Sequence, residues 1–321
     1  MELIAEIGPA DGDLEYAYEA CTAAKESGFD WVKGQLFDRD KLVTPTAPSY
    51  GHSEITTPAT QYEAFEKQLS YDEWEQVAWH CRQIDIGFFA SVWDYDAIEF
   101  CEDIGVERYK IGSGDITYKP LIEAVASTNK LVVISTGAST EQEIGQAVSW
   151  VGASPLVLLA CSLSYPCPDD QANMARVWTL RDRFGVPVGY SDHTYGTGAL
   201  AVAEYLEAVM WEKHFTVRPG TGGDHDFAVT PVGMAERDQG SVELLGSPRL
   251  EPSPREQAAL MGARRSLVLS RDLAEGTVLK SADLTALRPG WGLSPALADD
   301  FVGRTLSRDK KKHSMITYAD I

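Results

Sequence analysis

Two neighbouring stretches decide the fold of this chain: VGYSDHT at residues 188–194 and VMWEKHF at residues 209–215. Each contains a short apolar run, which has the length of a buried parallel strand rather than of a buried helix. Each ends in a polar cluster with a histidine, His193 in the first and His214 in the second. Parallel strands would carry both imidazoles to one edge of a sheet, which favours a metal site. Taken alone, the pattern fits equally well with two histidines that only form hydrogen bonds.

The same strand pattern recurs throughout the first 215 residues. Short apolar runs alternate with amphipathic helical segments, and this alternation is typical of a parallel sheet. Eight repeats predict an α/β fold of the (β/α)8 TIM barrel type. A doubly wound sheet is the alternative, but no GxGxxG motif follows the first strand. The predicted strands are 3–8, 31–35, 88–93, 108–113, 131–136, 156–162, 186–192 and 208–215.

Composition divides the chain into two domains and a linker. The barrel is predicted over residues 1–245, a proline-rich linker over 246–263 and a small β-rich domain over 264–321. Short strands are expected in the tail at 265–269, 277–279, 284–287 and 315–317. An insert at 42–61, rich in Thr, Pro, Ser and Gly, is expected to be a long loop, and such loops on barrels are often functional lids.

Charge and composition exclude several classes of protein. The net charge of −20 argues against nucleic acid and anionic membranes as partners. No run approaches the ~20 apolar residues of a membrane span, and no signal peptide is visible. The five cysteines show no CxxC spacing, which indicates a reduced, cytoplasmic protein. The region 264–321 carries ten basic and seven acidic residues, so a basic module accompanies an acidic barrel.

Chemically useful polar residues stand at the ends of all eight predicted strands, the face where barrel enzymes keep their sites. Lysines, hydroxyl groups and a glycine-rich loop at residues 112–114 are suited to an anion that carries phosphate and carboxylate. Any one serine could be a helix N-cap, but the whole set favours a binding site. The strand-end residues are Glu6, Lys33, Gln35, Ser91, Lys110, Ser113, Asp115, Ser135, Ser162, Tyr165, Ser191, His193 and His214.

The two histidines have neither the carboxylate nor the third histidine in sequence that a tight zinc site would show. A looser site for Mn²⁺, Mg²⁺ or Co²⁺, completed by water and substrate oxygens, fits this donor set better. Such a metal could polarise an aldehyde oxygen or activate water.

At these motifs the chain resembles the sialic acid synthase (N-acetylneuraminate synthase) family over nearly its whole length. The resemblance is carried by YKIGSGD at 109–115, GYSDHT at 189–194 and EKHFT at 212–216. The region 264–321, with RPG at 288–290, resembles the family's antifreeze-like (SAF) domain. The resemblance implies that phosphoenolpyruvate condenses with an N-acetylmannosamine-like sugar aldehyde and water. The products would be a sialic-acid-like (nonulosonic) 2-keto acid and phosphate.

The resemblance also implies a role for each matching residue. Glu6, Lys110, His214 and Arg288 would be catalytic, and His193 and His214 would hold the divalent metal. Arg288 would reach from the tail of one subunit into the barrel of its partner in a domain-swapped homodimer. The residues expected to bind phosphoenolpyruvate or the sugar are Lys33, Gln35, Ser91, Ser113, Asp115, Ser135, Ser162, Tyr165, Ser191 and Asp224.

The chain departs from the family pattern mainly on the side expected to bind the sugar. The Asn-His after the first strand is missing around Pro9, and Gly34 replaces an aromatic residue. SVW at 91–93 replaces Thr-Pro-Phe, and Leu163 stands where many members have asparagine. Three alternatives therefore stay open: a different aldose or aldehyde acceptor, a non-catalytic relative that binds sugar or phosphate, and a metal-dependent hydrolase.

Overall fold

A closed barrel of eight parallel strands forms the first part of the chain in the computed structural model, which describes residues 1–8, 10–49, 60–237 and 242–321. Each strand pairs with the next in the chain, and the first closes the barrel on the eighth. The predicted barrel is confirmed. Its strands are β1 (Glu2–Glu6), β2 (Trp31–Leu36), β3 (Gly87–Val92), β4 (Arg108–Ile111), β5 (Leu131–Ser135), β6 (Leu156–Ala160), β7 (Val188–Asp192) and β8 (Met210–His214).

Amphipathic helices surround the barrel and bury their apolar faces against the outward side chains of the strands. Side-chain caps fix where several begin: Asp13, Ser70 and Thr140 each accept hydrogen bonds from backbone amides of the first turn. The helices are α1 (Leu14–Glu26), α2 (Arg39–Leu42), α3 (Gln61–Ala64), α4 (Tyr71–Gln83), α5 (Tyr95–Asp103), α6 (Lys119–Ala126), α7 (Glu141–Val151), α8 (Arg176–Phe184), α9 (Gly198–Tyr205) and α10 (Pro231–Ala235).

Inside the barrel, strand alternation builds an apolar floor with a polar layer above it, because side chains two residues apart share a face. The buried apolar cluster of the floor contains Ile4, Phe89, Val133 and Met210. The residues two positions further along the same strands are Glu6, Ser91, Ser135 and Glu212. The floor closes the barrel from below, so the polar layer opens only toward the carboxyl ends of the strands.

The segment after the barrel contains more regular structure than its composition predicts. A 3₁₀ turn at Pro254–Glu256 leads into α11 (Gln257–Ala263), a helix inside the predicted linker. In the small domain, β9 (Ser266–Leu269) pairs antiparallel with β10 (Leu284–Leu287). The strands predicted at 277–279 and 315–317 are wrong, because only the isolated bridges from Val278 and Met315 form there.

The small domain lies against the carboxyl-end face of the barrel of the same chain through buried arginines. The Arg265 Nε donates to the Asp115 carboxylate at 2.6 Å, and its Nη2 donates to the Trp93 carbonyl at 2.9 Å. Arg264 donates to the Ala138 carbonyl at 2.8 Å. Two of the basic residues of the tail, Arg264 and Arg265, thus lie at the mouth of the barrel.

The insert predicted at 42–61 begins beside the tail: the Thr44 amide donates to the Arg288 carbonyl at 3.0 Å, and the Arg288 amide donates to the Leu42 carbonyl at 3.1 Å. Residues 50–59 of this predicted lid, and Pro9 of the altered loop after β1, lie outside the described residues. No helix in the described ranges is long and apolar enough to cross a membrane.

Candidate active site

An inner chamber lies directly above the polar layer of the barrel. It brings together side chains from widely separated parts of the sequence, most of which were predicted from the strand ends. Its lining includes Glu6, Lys33, Gln35, Ser91, Lys110, Ser113, Ser135, Tyr165, Ser191, His193, Glu212 and His214.

An outer chamber adjoins the inner one on the side of the small domain. Two more of the predicted residues, Asp224 and Arg288, line it, whereas Asp115 and Ser162 are not among the lining residues of either chamber. Residues that sequence reasoning did not single out also line it, among them Gln61, Phe65 and Trp93. The residues that line both chambers and form the passage between them are Gln35, Trp93, Gly112, Ser113, Leu163, Tyr165 and His214.

Two lysines and two carboxylates form a buried charge network in the inner chamber. Lys33 Nζ lies 2.5 Å from Glu6 and 3.2 Å from Glu212, and Lys110 Nζ lies 3.4 Å from Glu212. Burial raises the pKa of Glu212, but Lys110 and Lys33 outweigh it and bring that pKa to about 2. Glu212 therefore stays ionised. Sequence reasoning missed this residue, although strand periodicity places it on the same face of β8 as His214.

The two lysines are not equally neutralised. Burial lowers the pKa of Lys33, but Glu212 and Glu6 together raise it above its usual value. Lys110 is also fully buried, and burial holds its pKa below the usual value despite the attraction of Glu212. Lys110 is consequently the cation that gains most from an incoming anion, since a negative charge beside it offsets its desolvation.

The hydroxyl groups of the inner chamber are also suited to an anionic ligand. Ser91 Oγ accepts a hydrogen bond from Lys33 Nζ at 3.2 Å, and Ser113 Oγ accepts one from the Gly137 amide at 3.0 Å. Ser135 Oγ is buried and has no hydrogen-bond partner in the part of the chain that the structure describes. A buried hydroxyl without a partner is costly, so a ligand oxygen is its natural complement.

The two predicted metal ligands face each other across the chamber. The rings of His193 and His214 have centroids 5.7 Å apart. His193 Nδ1 lies 2.8 Å from the Ser162 carbonyl, which can only accept, so Nδ1 carries the proton and Nε2 keeps a lone pair. Burial, and then His214, lower the pKa of His193 to about 3, so the ring is neutral near pH 7. His214 Nδ1 is similarly 3.3 Å from the Asp224 carboxylate.

This pair fits an open metal site. Across the described ranges, no group of three or more His, Cys, Asp and Glu side chains is placed to hold a metal ion. Two oriented imidazoles, with oxygen ligands from water and substrate, suit Mn²⁺ or Co²⁺. The assignment of a divalent metal to His193 and His214 stays a prediction.

Two residues singled out in the sequence contact other groups than expected. Ser162 Oγ donates to the Gln171 carbonyl at 2.6 Å and the Ser162 carbonyl faces His193, so the assignment of Ser162 to substrate binding stays a prediction. Gly34 faces the outer helices: a Cβ there would lie 2.6 Å from the Trp74 indole. The missing aromatic residue is therefore replaced by Trp74, and Gly34 does not alter the acceptor side.

The residues predicted for the sugar side surround the passage. The Tyr165 ring lies 4.2 Å from the His193 ring, centroid to centroid. Arg288 Nη1 donates to Gln61 Oε1 at 3.3 Å, and Arg288 Nη2 lies 3.8 Å from Asp115 Oδ2. Arg288 comes from the tail of the same chain, where the sequence analysis expected the partner's tail. The structure comprises one chain, so the swapped dimer stays a prediction.

A carboxylate from the predicted linker fixes the loops beside the chambers. Glu256 is fully buried, and its Oε1 accepts hydrogen bonds from the amides of Ala138 at 2.7 Å and Leu163 at 3.0 Å. Its Oε2 accepts one from the Ser253 amide at 2.7 Å. Glu256 therefore connects the loops after β5 and β6 to the segment that leads into the tail. No local sequence pattern predicts this contact.

Fold and site together define a (β/α)8-barrel enzyme whose mouth carries lysines and hydroxyl groups suited to an anion and lies against a small basic domain. Comparison with known proteins specifies the family. The NeuB family model matches residues 20–241, and the SAF domain model matches residues 264–321. The chain belongs to the NeuB family.

Its relatives are acid synthases. The chain is 36% identical to the N,N'-diacetyllegionaminic acid synthase of Legionella pneumophila, over 95% of this chain and 90% of that protein. It is 30% identical to human N-acetylneuraminate-9-phosphate synthase, over 88% and 82%. The structure of spore coat polysaccharide biosynthesis protein spsE from Bacillus subtilis superposes with a TM-score of 0.84 at 25% identity, covering 100% of this chain and 94% of that one. The chain is thus a transferase-type synthase.

Proposed function

We propose that this enzyme condenses phosphoenolpyruvate with the aldehyde of an open-chain N-acyl hexosamine resembling N-acetylmannosamine. The products are a nonulosonic 2-keto acid and phosphate. The observation that carries the proposal is the inner chamber, where an under-neutralised lysine and an unpartnered serine hydroxyl lie beside two oriented histidines. The names of the relatives support the class of product.

The inner chamber is the place for phosphoenolpyruvate. Lys110 and the hydroxyls of Ser113 and Ser135 are suited to its phosphate and carboxylate oxygens. Lys33, held between Glu6 and Glu212, fixes the depth at which the anion rests. The outer chamber, with Arg288 and Asp224, then receives the sugar.

The reaction follows from this arrangement. C3 of phosphoenolpyruvate attacks the aldehyde carbon and forms the new carbon–carbon bond, while the aldehyde oxygen takes up a proton. A water oxygen adds to C2 and gives a tetrahedral phosphate ester of a hydrate, which loses phosphate by cleavage of the C2–O bond. Glu6 lines the chamber beside Lys33 and is placed to accept the proton of that water. Holding both substrates in register supplies up to about 7–11 kcal/mol of the barrier reduction.

A divalent metal at His193 and His214 would supply Lewis-acid polarisation of the aldehyde oxygen. The protein's own contribution is to orient both rings, His193 through the Ser162 carbonyl and His214 through Asp224. Tyr165 packs against His193 and limits the space in which the aldehyde can turn.

The test is a turnover assay with Mn²⁺ and phosphoenolpyruvate and a panel of N-acyl hexosamines and simple aldoses, followed by phosphate release and product mass. We expect phosphate release that depends on an N-acyl hexosamine, with a product mass equal to acceptor plus pyruvate. Absence of phosphate release with every aldehyde would refute the synthase assignment.

We further propose that Arg288 is exchanged between subunits in a domain-swapped homodimer. The support is that Arg288 belongs to a domain joined to the barrel by the segment 246–263, while it lines the outer chamber. Co-expression of His214→Ala with Arg288→Ala distinguishes the two arrangements. In a swapped dimer, one intact barrel meets one intact tail and activity returns. If each tail serves its own barrel, the mixture stays as inactive as the single variants.

A further inference from the structure

Trp93 directly follows β3 and forms part of the wall shared by both chambers. Its side chain is only 8% exposed, yet its indole Nε1 has no hydrogen-bond partner among the described residues. The ring is held in place: Phe37 packs edge-on against it with centroids 5.2 Å apart, and Arg265 donates to its backbone carbonyl. The indole N–H is therefore a fixed, unused donor at the passage.

Asp115 supplies an unused acceptor close by. Its Oδ1 accepts from Arg265 Nε at 2.6 Å, which fixes the carboxylate. Its Oδ2 is buried and accepts no hydrogen bond in the described part of the chain. Arg288 Nη2 lies 3.8 Å from that oxygen, beyond hydrogen-bond distance.

Gly112 leaves room between this donor and this acceptor. A Cβ on Gly112 would lie 3.6 Å from Asp115 Oδ2 and 3.7 Å from Trp93 Nε1, with no closer neighbour. That Cβ would thus be in ordinary van der Waals contact with both unused atoms and nearly equidistant from them, so both atoms border the space in front of Gly112. Gly112 is itself partly exposed and lines both chambers.

The chemistry of the two atoms selects one kind of group. A carbonyl oxygen would satisfy only the indole N–H, and an ammonium group would satisfy only the carboxylate. A hydroxyl group satisfies both, because it donates one hydrogen bond and accepts another. From this geometry we infer that Trp93 is a specificity-determining residue which, together with Asp115 and above Gly112, binds one hydroxyl group of the sugar acceptor.

This inference rests on the proposed function, and it assigns a reason to the tryptophan in the SVW segment. A phenylalanine at position 93 would fill the same wall without a donor. The indole adds a requirement that the acceptor carry a hydroxyl at one ring-derived carbon. An acceptor without that hydroxyl would leave two buried polar atoms unpaired.

The experiment uses the whole enzyme with phosphoenolpyruvate, Mn²⁺ and an N-acyl hexosamine together with its monodeoxy analogues. Trp93→Phe removes the N–H and keeps an aromatic ring, and Gly112→Ala places a methyl group in van der Waals contact with both unused atoms, without a steric clash and at a backbone φ of −70°. Trp79→Phe, at an exposed tryptophan of α4, is the matched control. Circular dichroism and thermal melting verify that each variant is folded.

We expect Trp93→Phe and Gly112→Ala to raise the acceptor KM about tenfold, the loss of one buried hydrogen bond, while the KM for phosphoenolpyruvate changes less than about twofold. One monodeoxy analogue should bind the wild-type enzyme about tenfold more weakly than the parent acceptor does. The KM for that analogue should not change in Trp93→Phe. If Trp93→Phe raises the KM of every analogue by the same factor, the site holds only water and the inference is overturned. A wild-type enzyme inactive with every acceptor would instead refute the proposed function, and this inference with it.

Discussion

Substituting Gly34 by alanine tests whether this departure from the family pattern faces the helix layer, as the structure shows, or the substrate. A Cβ at this position would lie 2.6, 2.7 and 3.2 Å from three ring atoms of Trp74, which is 1% exposed. Contacts below 3.0 Å force the indole to move inside a packed layer, and overpacking of this kind costs about 1–3 kcal/mol. Alanine is better than glycine within a strand by about 0.5–1 kcal/mol. The net expectation is a loss of about 1–2 kcal/mol.

The sign of the effect depends on Trp74, which gives the prediction its control. In a Trp74→Leu background the indole is absent, so Gly34→Ala should stabilise the protein by about 0.5–1 kcal/mol. The two substitutions should therefore show a coupling energy of about 1–3 kcal/mol, as expected for residues in contact. Gly145→Ala in α7, where a Cβ would lie 3.6 Å from Phe184, serves as a matched glycine replacement and should not destabilise the fold.

The assays are urea denaturation for stability and steady-state kinetics for the site. Because Gly34 faces the helices, the acceptor KM of Gly34→Ala should stay within about twofold of wild type while the stability falls. A variant of unchanged stability with an altered acceptor KM would refute the reasoning, because it would place position 34 beside the substrate.

Three further predictions concern the chambers and their support. His214→Ala should abolish turnover and cut Mn²⁺ affinity measured by calorimetry; an unchanged rate would contradict the metal assignment. Glu212→Gln leaves two buried lysines short of a counter-charge and should cost about 3–5 kcal/mol in urea denaturation. Because the pKa of Glu212 is lowered to about 2, its stabilisation is complete above pH ~4.5 and is lost as the pH falls toward 2. Acid titration of stability should thus be shallower in the variant. Glu256→Ala leaves the buried amides of Ala138 and Leu163 without a hydrogen-bond acceptor, at a cost of about 1–3 kcal/mol each. We expect both the stability and kcat/KM to fall. A change in stability alone would show that those loops do not shape the chambers.

The barrel and the inner chamber were predictable because both follow from local pattern. Apolar runs of strand length alternate with amphipathic segments, and parallel strands bring their carboxyl ends to one face. Lys33, Ser91 and Lys110 could be read from those ends without knowledge of any contact. Glu212 was equally accessible, since it lies two residues before His214 and so shares its face of β8.

What escaped prediction depends on contacts between distant parts of the chain. Whether Gly34 faced the chamber was decidable from strand parity, but what replaced its side chain was not, since Trp74 lies 40 residues away on α4. Glu256 lies in a stretch whose composition indicates only a linker, and its role comes from amides more than 90 residues earlier. The contacts of Ser162 also escaped prediction, because the sequence does not tell that its hydroxyl donates to the Gln171 carbonyl and its carbonyl faces His193.

Two of the departures from the family pattern, at Trp93 and Leu163, fall in one place. Gly34 faces Trp74 in the helix layer, whereas Trp93 and Leu163 both line the passage and the outer chamber. Leu163 also packs against Ala259 and Ala263 of α11, so its position depends on the segment that carries the tail. Under the proposed function, phosphoenolpyruvate would bind to strand residues within the barrel, whereas the sugar would bind between the barrel and the tail. Acceptor choice can therefore change by substitution at that contact without disturbing the charge network below it, because the two sets of residues share only the passage.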